Sequence, residues 1–214
     1  MMIDPARTRG RPRRNAGGLS PSAAIQPAAV SIFAQKGFDA TSMREIAAAA
    51  NVDAALIAYQ FGSKLGLWKA IVSELGARLF AELASSARCS AGTSPAESLR
   101  NAMLVFIDFA LRNPEFPNFL LRDAKRAEGH ARYLEGTLAR PLFDHYRRLI
   151  ETAHAAGQLC VAWPAMVILH FSYGVSVMIS RRELLVSHAP ELADDEAFRA
   201  ALCDTLIEPL FRHG

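Results

Sequence analysis

Apolar positions recur at helical spacing through most of the chain. Ile25, Ala28, Ala29, Ile32 and Phe33 mark a first helix, stopped by Lys36 and Gly37, with Phe38 able to fold back onto it. Ser20 is its candidate N-cap, with Pro21 behind it. Pro27 leaves two readings open: a kinked helix from Pro21, or a regular helix that starts near Pro27. Thr41 and Ser42 open a second helix, and Ser42 with Glu45 fits a capping box. Met43, Ile46, Ala47 and Ala50 give its inner face, and it ends at Asn51, a residue that tolerates positive φ. Val52 plugs the turn, and Asp53 can cap a third helix over Ala54–Phe61, with Ile57 and Phe61 facing inward. Ser63 caps a long fourth helix striped by Leu67, Trp68, Ile71, Leu75, Leu79 and Leu83. Further helices are expected near 96–112, 117–128, 131–156, 164–182 and 194–212, broken at Asn113-Pro114, Gly157 and Ala189-Pro190. The fold class is all-α, with about nine helices and no strand signal.

This pattern divides the 214 residues into an Arg-rich arm at 1–19, a helix-turn-helix unit at 20–66 and a further helical unit at 67–214. The net charge of +3 conceals an asymmetry. Residues 1–69 carry nine Lys/Arg against four Asp/Glu, while the rest carries fifteen against seventeen. Positive charge at one end favours a polyanion there. The three cysteines have no zinc spacing and read as thiols of a reducing cytoplasm. The uncharged run before Ser180 yields a helix of roughly 24 Å, short of a bilayer core. A membrane is therefore not an expected partner.

A recognition helix presents small or polar groups to base edges and polar groups to phosphates. Ala54, Ala55, Leu56, Ala58, Tyr59 and Gln60 lie on and around the third helix. Lys64 begins the next one, close to where a duplex backbone would run. Arg9 and Arg11, in the Arg9-Gly10-Arg11-Pro12 core of the arm, suit either a narrow minor groove or nonspecific phosphate attraction.

The sequence Gly37-Phe38, followed by Thr41-Ser42-Met43-Arg44-Glu45-Ile46-Ala47 and by Tyr59-Gln60-Phe61-Gly62-Ser63-Lys64, closely resembles the TetR family of bacterial transcription factors over about residues 22–71. The resemblance implies a homodimer on palindromic double-stranded operator DNA, released by a small-molecule effector. It implies phosphate contacts from Ser42 and Tyr59, a backbone contact from Lys64, and bases met by Arg44, Ala54, Ala55, Leu56 and Ala58. Arginine serves bases and phosphates alike, so Arg44 stays open between them. Asn51, Asp53, Ala58, Leu65 and Gly66 depart from the family pattern. The reading surface is poor in hydrogen-bond donors, so thymine-methyl contacts and DNA shape gain weight.

In the C-terminal part, the helices at 164–182 and 194–212 read as a dimer pair or, alternatively, as buried intrachain helices. Effector-pocket candidates are Met103, Phe106, Phe109, Phe119, His145, Met166, His170 and Tyr173, a composition shared by cavity linings and packed cores. The stretch Arg122–Arg132 and the pair Arg147-Arg148 read as solvated faces. The long fourth helix, with Trp68 and Leu67 near its head-side end, is the expected lever. No P-loop, GxGxxG, GxSxG or HExxH motif is present, so neither an enzyme nor a cofactor or metal site is expected.

Overall fold

The computed structural model describes residues 21–90, 92–117 and 128–211, and among these every regular element is helical. A 3₁₀ turn, Pro21–Ala24, leads into α1, Ile25–Lys36. Pro27 is the third residue of α1. The N–H groups of a first turn have no intrahelical acceptor, so proline removes no bond there and no kink is required. Gly37 ends α1 at φ 81°, and Phe38 returns to stack on Phe33 with ring centroids 5.6 Å apart.

The next helices are α2, Met43–Ala50, and α3, Ala54–Phe61. Local chemistry sets their ends. The Ser42 side chain accepts from the Glu45 N–H at 3.2 Å, and Asp53 accepts from the Ala55 N–H at 2.8 Å. Asn51 sits between them in the left-handed region, φ 52° and ψ 47°. Ile25, Ala29, Phe33, Ile46, Ala47 and Ile57 form the core that fixes the three helices against one another.

The long helix α4, Lys64–Cys89, is followed by α5, Pro95–Arg112, which opens on a complete capping box between Ser94 and Glu97. After the undescribed segment, α6, Glu128–Leu134, passes through a π-helical turn, Glu135–Ala139, into α7, Arg140–Ala155. Gly76 of α4 lies against that turn, within 3.6 Å of Leu138 for an added Cβ. Then come α8, Pro164–Ser180, α9, Arg182–His188, a 3₁₀ turn Pro190–Ala193, α10, Asp195–Leu206, and α11, Glu208–Phe211. The helix expected over 194–212 is thus interrupted at Ile207. Pro209 supplies no N–H and its ring excludes the preceding turn's carbonyl, which ends α10. Similarly, the helix expected to reach 182 breaks at Arg181.

The larger core joins α4, α5, α7, α8 and α10 through Leu79, Phe106, Phe109, Tyr146, Phe171 and Phe198. The buried Tyr146 hydroxyl donates to the Ala102 carbonyl at 3.0 Å, and burial pushes its phenol far above the ordinary range. Helices α8 and α10 approach closely at Gly174, where a Cβ would lie 3.0 Å from Leu206. The inner face of α8 (Ile168, Phe171, Ser172, Val175, Ser176) is buried within the chain. Its outer face is apolar but open: Met166 is 68% exposed, and Leu169, Tyr173 and Val177 are exposed beside it. Among the described residues no helix is long and apolar enough to cross a membrane.

Candidate nucleic-acid interface

The packing of α3 decides which of its side chains can meet a ligand. Ile57 is fully buried, and Phe61 is half-buried on the same face. One turn around the helix, Ala55, Ala58, Tyr59 and Gln60 are exposed together. Tyr59 stands 89% exposed, an apolar ring and a hydroxyl held in solvent. Ala54 and Leu56 are half-buried against the core, so they form the flank of this face rather than its centre. Ser42 and Arg44, at the start of α2, are exposed, which leaves Arg44 and Tyr59 as the extended polar reach of the head. Arg9 and Arg11 lie outside the described residues.

Lys64 is engaged within the chain itself. Its Nζ donates to the carbonyl oxygens of Thr41 at 2.6 Å, Phe38 at 2.7 Å and Asp39 at 3.3 Å. An ammonium has three protons, and all three are used by the turn between α1 and α2. In this conformation Lys64 fastens that turn to α4. Thr41 completes the fastening, as its hydroxyl donates to the Gly37 carbonyl at 2.7 Å. The sequence carries no sign of this arrangement, because the acceptors come from main chain more than twenty residues away.

A second tie crosses from α1 to α2. Lys36 pairs with Glu45 and holds that carboxyl below its ordinary value; desolvation opposes the shift and the Ser42 backbone adds to it. At the α3–α4 junction, a Cβ on Gly66 would collide with the Phe61 carbonyl oxygen, while the Gly66 N–H donates to the capping Ser63 hydroxyl at 3.0 Å. The α3–α4 junction therefore leaves no room for a side chain at Gly66.

The expected effector pocket does not assemble as one lining. Met103, Phe106 and Phe109 are packed core, with Phe106 against Tyr146 and Phe171. Met166, His170 and Tyr173 lie on the open side of α8, and Phe119 falls outside the described residues. His145 is half-buried, and burial, then the Arg148 charge, pulls its pKa below the ordinary value. Met166 joins a groove of about 340 Å³ with Trp163 and Leu210, and another groove, of about 330 Å³, lies between the π-helical turn, α7 and α8, lined by Leu142, Phe143, Ile168, Leu169, Ser172 and Tyr173 together with Arg140 and Asp144. Of the seven described candidates, Tyr173 alone lines this second groove.

Residues 25–71 match the family model described as bacterial regulatory proteins, tetR family. The probable HTH-type transcriptional regulator YttP of Bacillus subtilis (strain 168) is 30% identical over 122 residues, 57% of this chain. That stretch spans 55% of YttP, just over half its length. The HTH-type transcriptional repressor NicS of Pseudomonas putida is 27% identical over 180 residues, 81% of this chain and 82% of NicS. Among solved structures, HlyIIR, a hemolysin II transcriptional regulator, superposes with a TM-score of 0.65 at 16% identity, covering 89% of this chain and 97% of its own. A TetR-like transcriptional regulator from Rhodococcus sp. RHA1 gives 0.62 at 23% identity, covering 90% and 94%. At these identities the structures speak for the fold, and the two curated relatives are named as regulators, not enzymes.

Proposed function

The chain belongs to the TetR family of bacterial DNA-binding regulators, and from that premise we propose that it is a repressor that binds a palindromic operator as a homodimer and is released by a small-molecule effector. The observation that carries this reading is the exposed face of α3, where Tyr59 and Gln60 project beside small alanines from a helix anchored by Ile57. A helix of that shape fits a major groove, with the alanines near thymine methyls and Tyr59 near a phosphate. Repression is supported by the name of NicS.

Two such helices reach successive major grooves when they lie about 34 Å apart. The open apolar face of α8, with α10 beside it, supports a pairing of two copies through these helices. The groove between α7 and α8 is at the small end of the size range for ligand sites. An effector that favours a different head spacing lowers operator affinity by its differential binding free energy.

A mobility-shift assay with the DNA upstream of the protein's own gene tests this reading. A sequence-specific shift at low salt is expected; only nonspecific, salt-labile binding would overturn it. Thermal stabilisation by one of a panel of metabolites identifies the effector, since a ligand of the native state raises Tm.

A further inference from the structure

Within the stretch that reads as solvated, one residue is lodged in the junction between the head and the rest of the chain. The ring of His130, on α6, lies 4.4 Å from the ring of Phe38 and 4.8 Å from that of Trp68, edge-on to both. These two rings belong to different parts: Phe38 to the turn between α1 and α2, Trp68 to the first turns of α4. Trp68 is fully buried, so the wedge is seated on a fixed wall.

The neighbour one turn along α6 behaves otherwise. Tyr133 is tied to α4: its hydroxyl donates to the Lys69 carbonyl at 3.3 Å, its ring packs 6.1 Å from Trp68, and the Lys69 ammonium lies over it. Tyr133 therefore moors α6 to α4, while His130 reaches past Trp68 to the head. On the head side, Phe38 is coupled outward. Its ring stacks on Phe33 of α1, and its carbonyl is held by Lys64. A shift of His130 along α6 thus meets a ring that cannot yield without moving the end of α1 and the turn that leads into α2. Close-packed interiors transmit such displacements instead of absorbing them.

We propose that His130 is a positioning residue for DNA binding: wedged between Phe38 and Trp68, it makes the tilt of the helix-turn-helix depend on where α6 lies. The proposal rests on the regulator reading above. It gives that reading a route, because α6 continues through the π-helical turn into α7, and that turn and α7 line the groove.

The test compares the full chain with His130→Leu, which keeps volume without a flat ring, and with His130→Phe, which restores one. Amide exchange followed by mass spectrometry is read over residues 33–47 and over α7 and α8. Affinity is read on a duplex selected in vitro with the wild-type protein. His130→Leu is expected to raise exchange at 33–47 and weaken the duplex complex, each by about tenfold, the order expected from losing two aromatic contacts. His130→Phe is expected to restore both, with α7 and α8 unchanged throughout. Unaltered exchange at 33–47, or a rise shared equally by α7 and α8, overturns the wedge. So does unaltered affinity in the leucine variant. If the wild-type protein selects no duplex, the regulator reading fails, and the exchange comparison alone decides the wedge.

Discussion

The Lys64 ammonium sits 4.4 Å from the centre of the Phe38 ring and donates to that same residue's carbonyl oxygen at 2.7 Å. One side chain thus satisfies a turn's main chain and its aromatic face together. Lys64→Met keeps the aliphatic stem but removes the ammonium's bonds to the Phe38 and Thr41 carbonyls, leaving Phe38 only the Thr41 N–H at 3.3 Å. A stability loss of about 1–3 kcal/mol is expected from the urea midpoint. Lys64→Arg is not expected to rescue it, since a planar guanidinium cannot copy three convergent bonds. The salt dependence of operator binding should be the same in the methionine variant; a log–log slope reduced by about one would make Lys64 a phosphate contact after all.

Tyr59 tests the opposite case, a residue that supports binding and not folding. With its side chain in solvent, Tyr59→Ala should leave the unfolding midpoint within about 0.5 kcal/mol of wild type. Operator affinity should fall by about tenfold, the scale of a lost hydrogen bond to a charged group. Matched losses of stability and affinity would argue for a packing role instead.

The legibility of the sequence differed sharply between the caps and the contacts. Ser42, Asp53, Asn51 and Ser63 can be read directly, because each acts on main chain within four residues. Lys64 and His130 cannot. Their partners arrive from distant segments, and a lysine or a histidine in a basic stretch has the same composition whether solvated or lodged. Pro27 is ambiguous in sequence, because only the start of α1 at Ile25 makes it a first-turn residue. The pocket is hard to read for another reason: Phe106 and Phe109 would suit a cavity wall or a packed core equally, and only tertiary packing separates the two.

Glu45 offers a pH test. Its carboxyl is held below the ordinary value of 4.5, mainly by Lys36. A depressed folded-state pKa contributes stability above the unfolded value and loses it as pH falls through the folded one. The difference in urea midpoint between wild type and Glu45→Gln should therefore be constant above about pH 5 and close on further acidification. A difference that persists unchanged at pH 3 would mean that the ion pair is not its source. The difference itself is expected to be small, because the pair is on the surface.

The outer face of α8 predicts assembly. Leu169→Glu places a charge among Met166, Tyr173 and Val177, away from the intrachain core. Sedimentation should show the dimer dissociation constant raised by at least about a hundredfold, with helical content retained. Operator affinity should fall with it. A variant that stays dimeric would move the interface elsewhere.

The two tryptophans of the chain occupy opposite surroundings, Trp68 with no exposure and Trp163, at the foot of the α8 face, 74% exposed. The molecule therefore carries two intrinsic fluorophores of different colour: a blue-shifted one in the joint beneath the head, and a red-shifted one beside the surface where a second copy would dock. Single Trp→Phe replacements would let emission from the unlabelled protein separate motion of the joint from association of subunits.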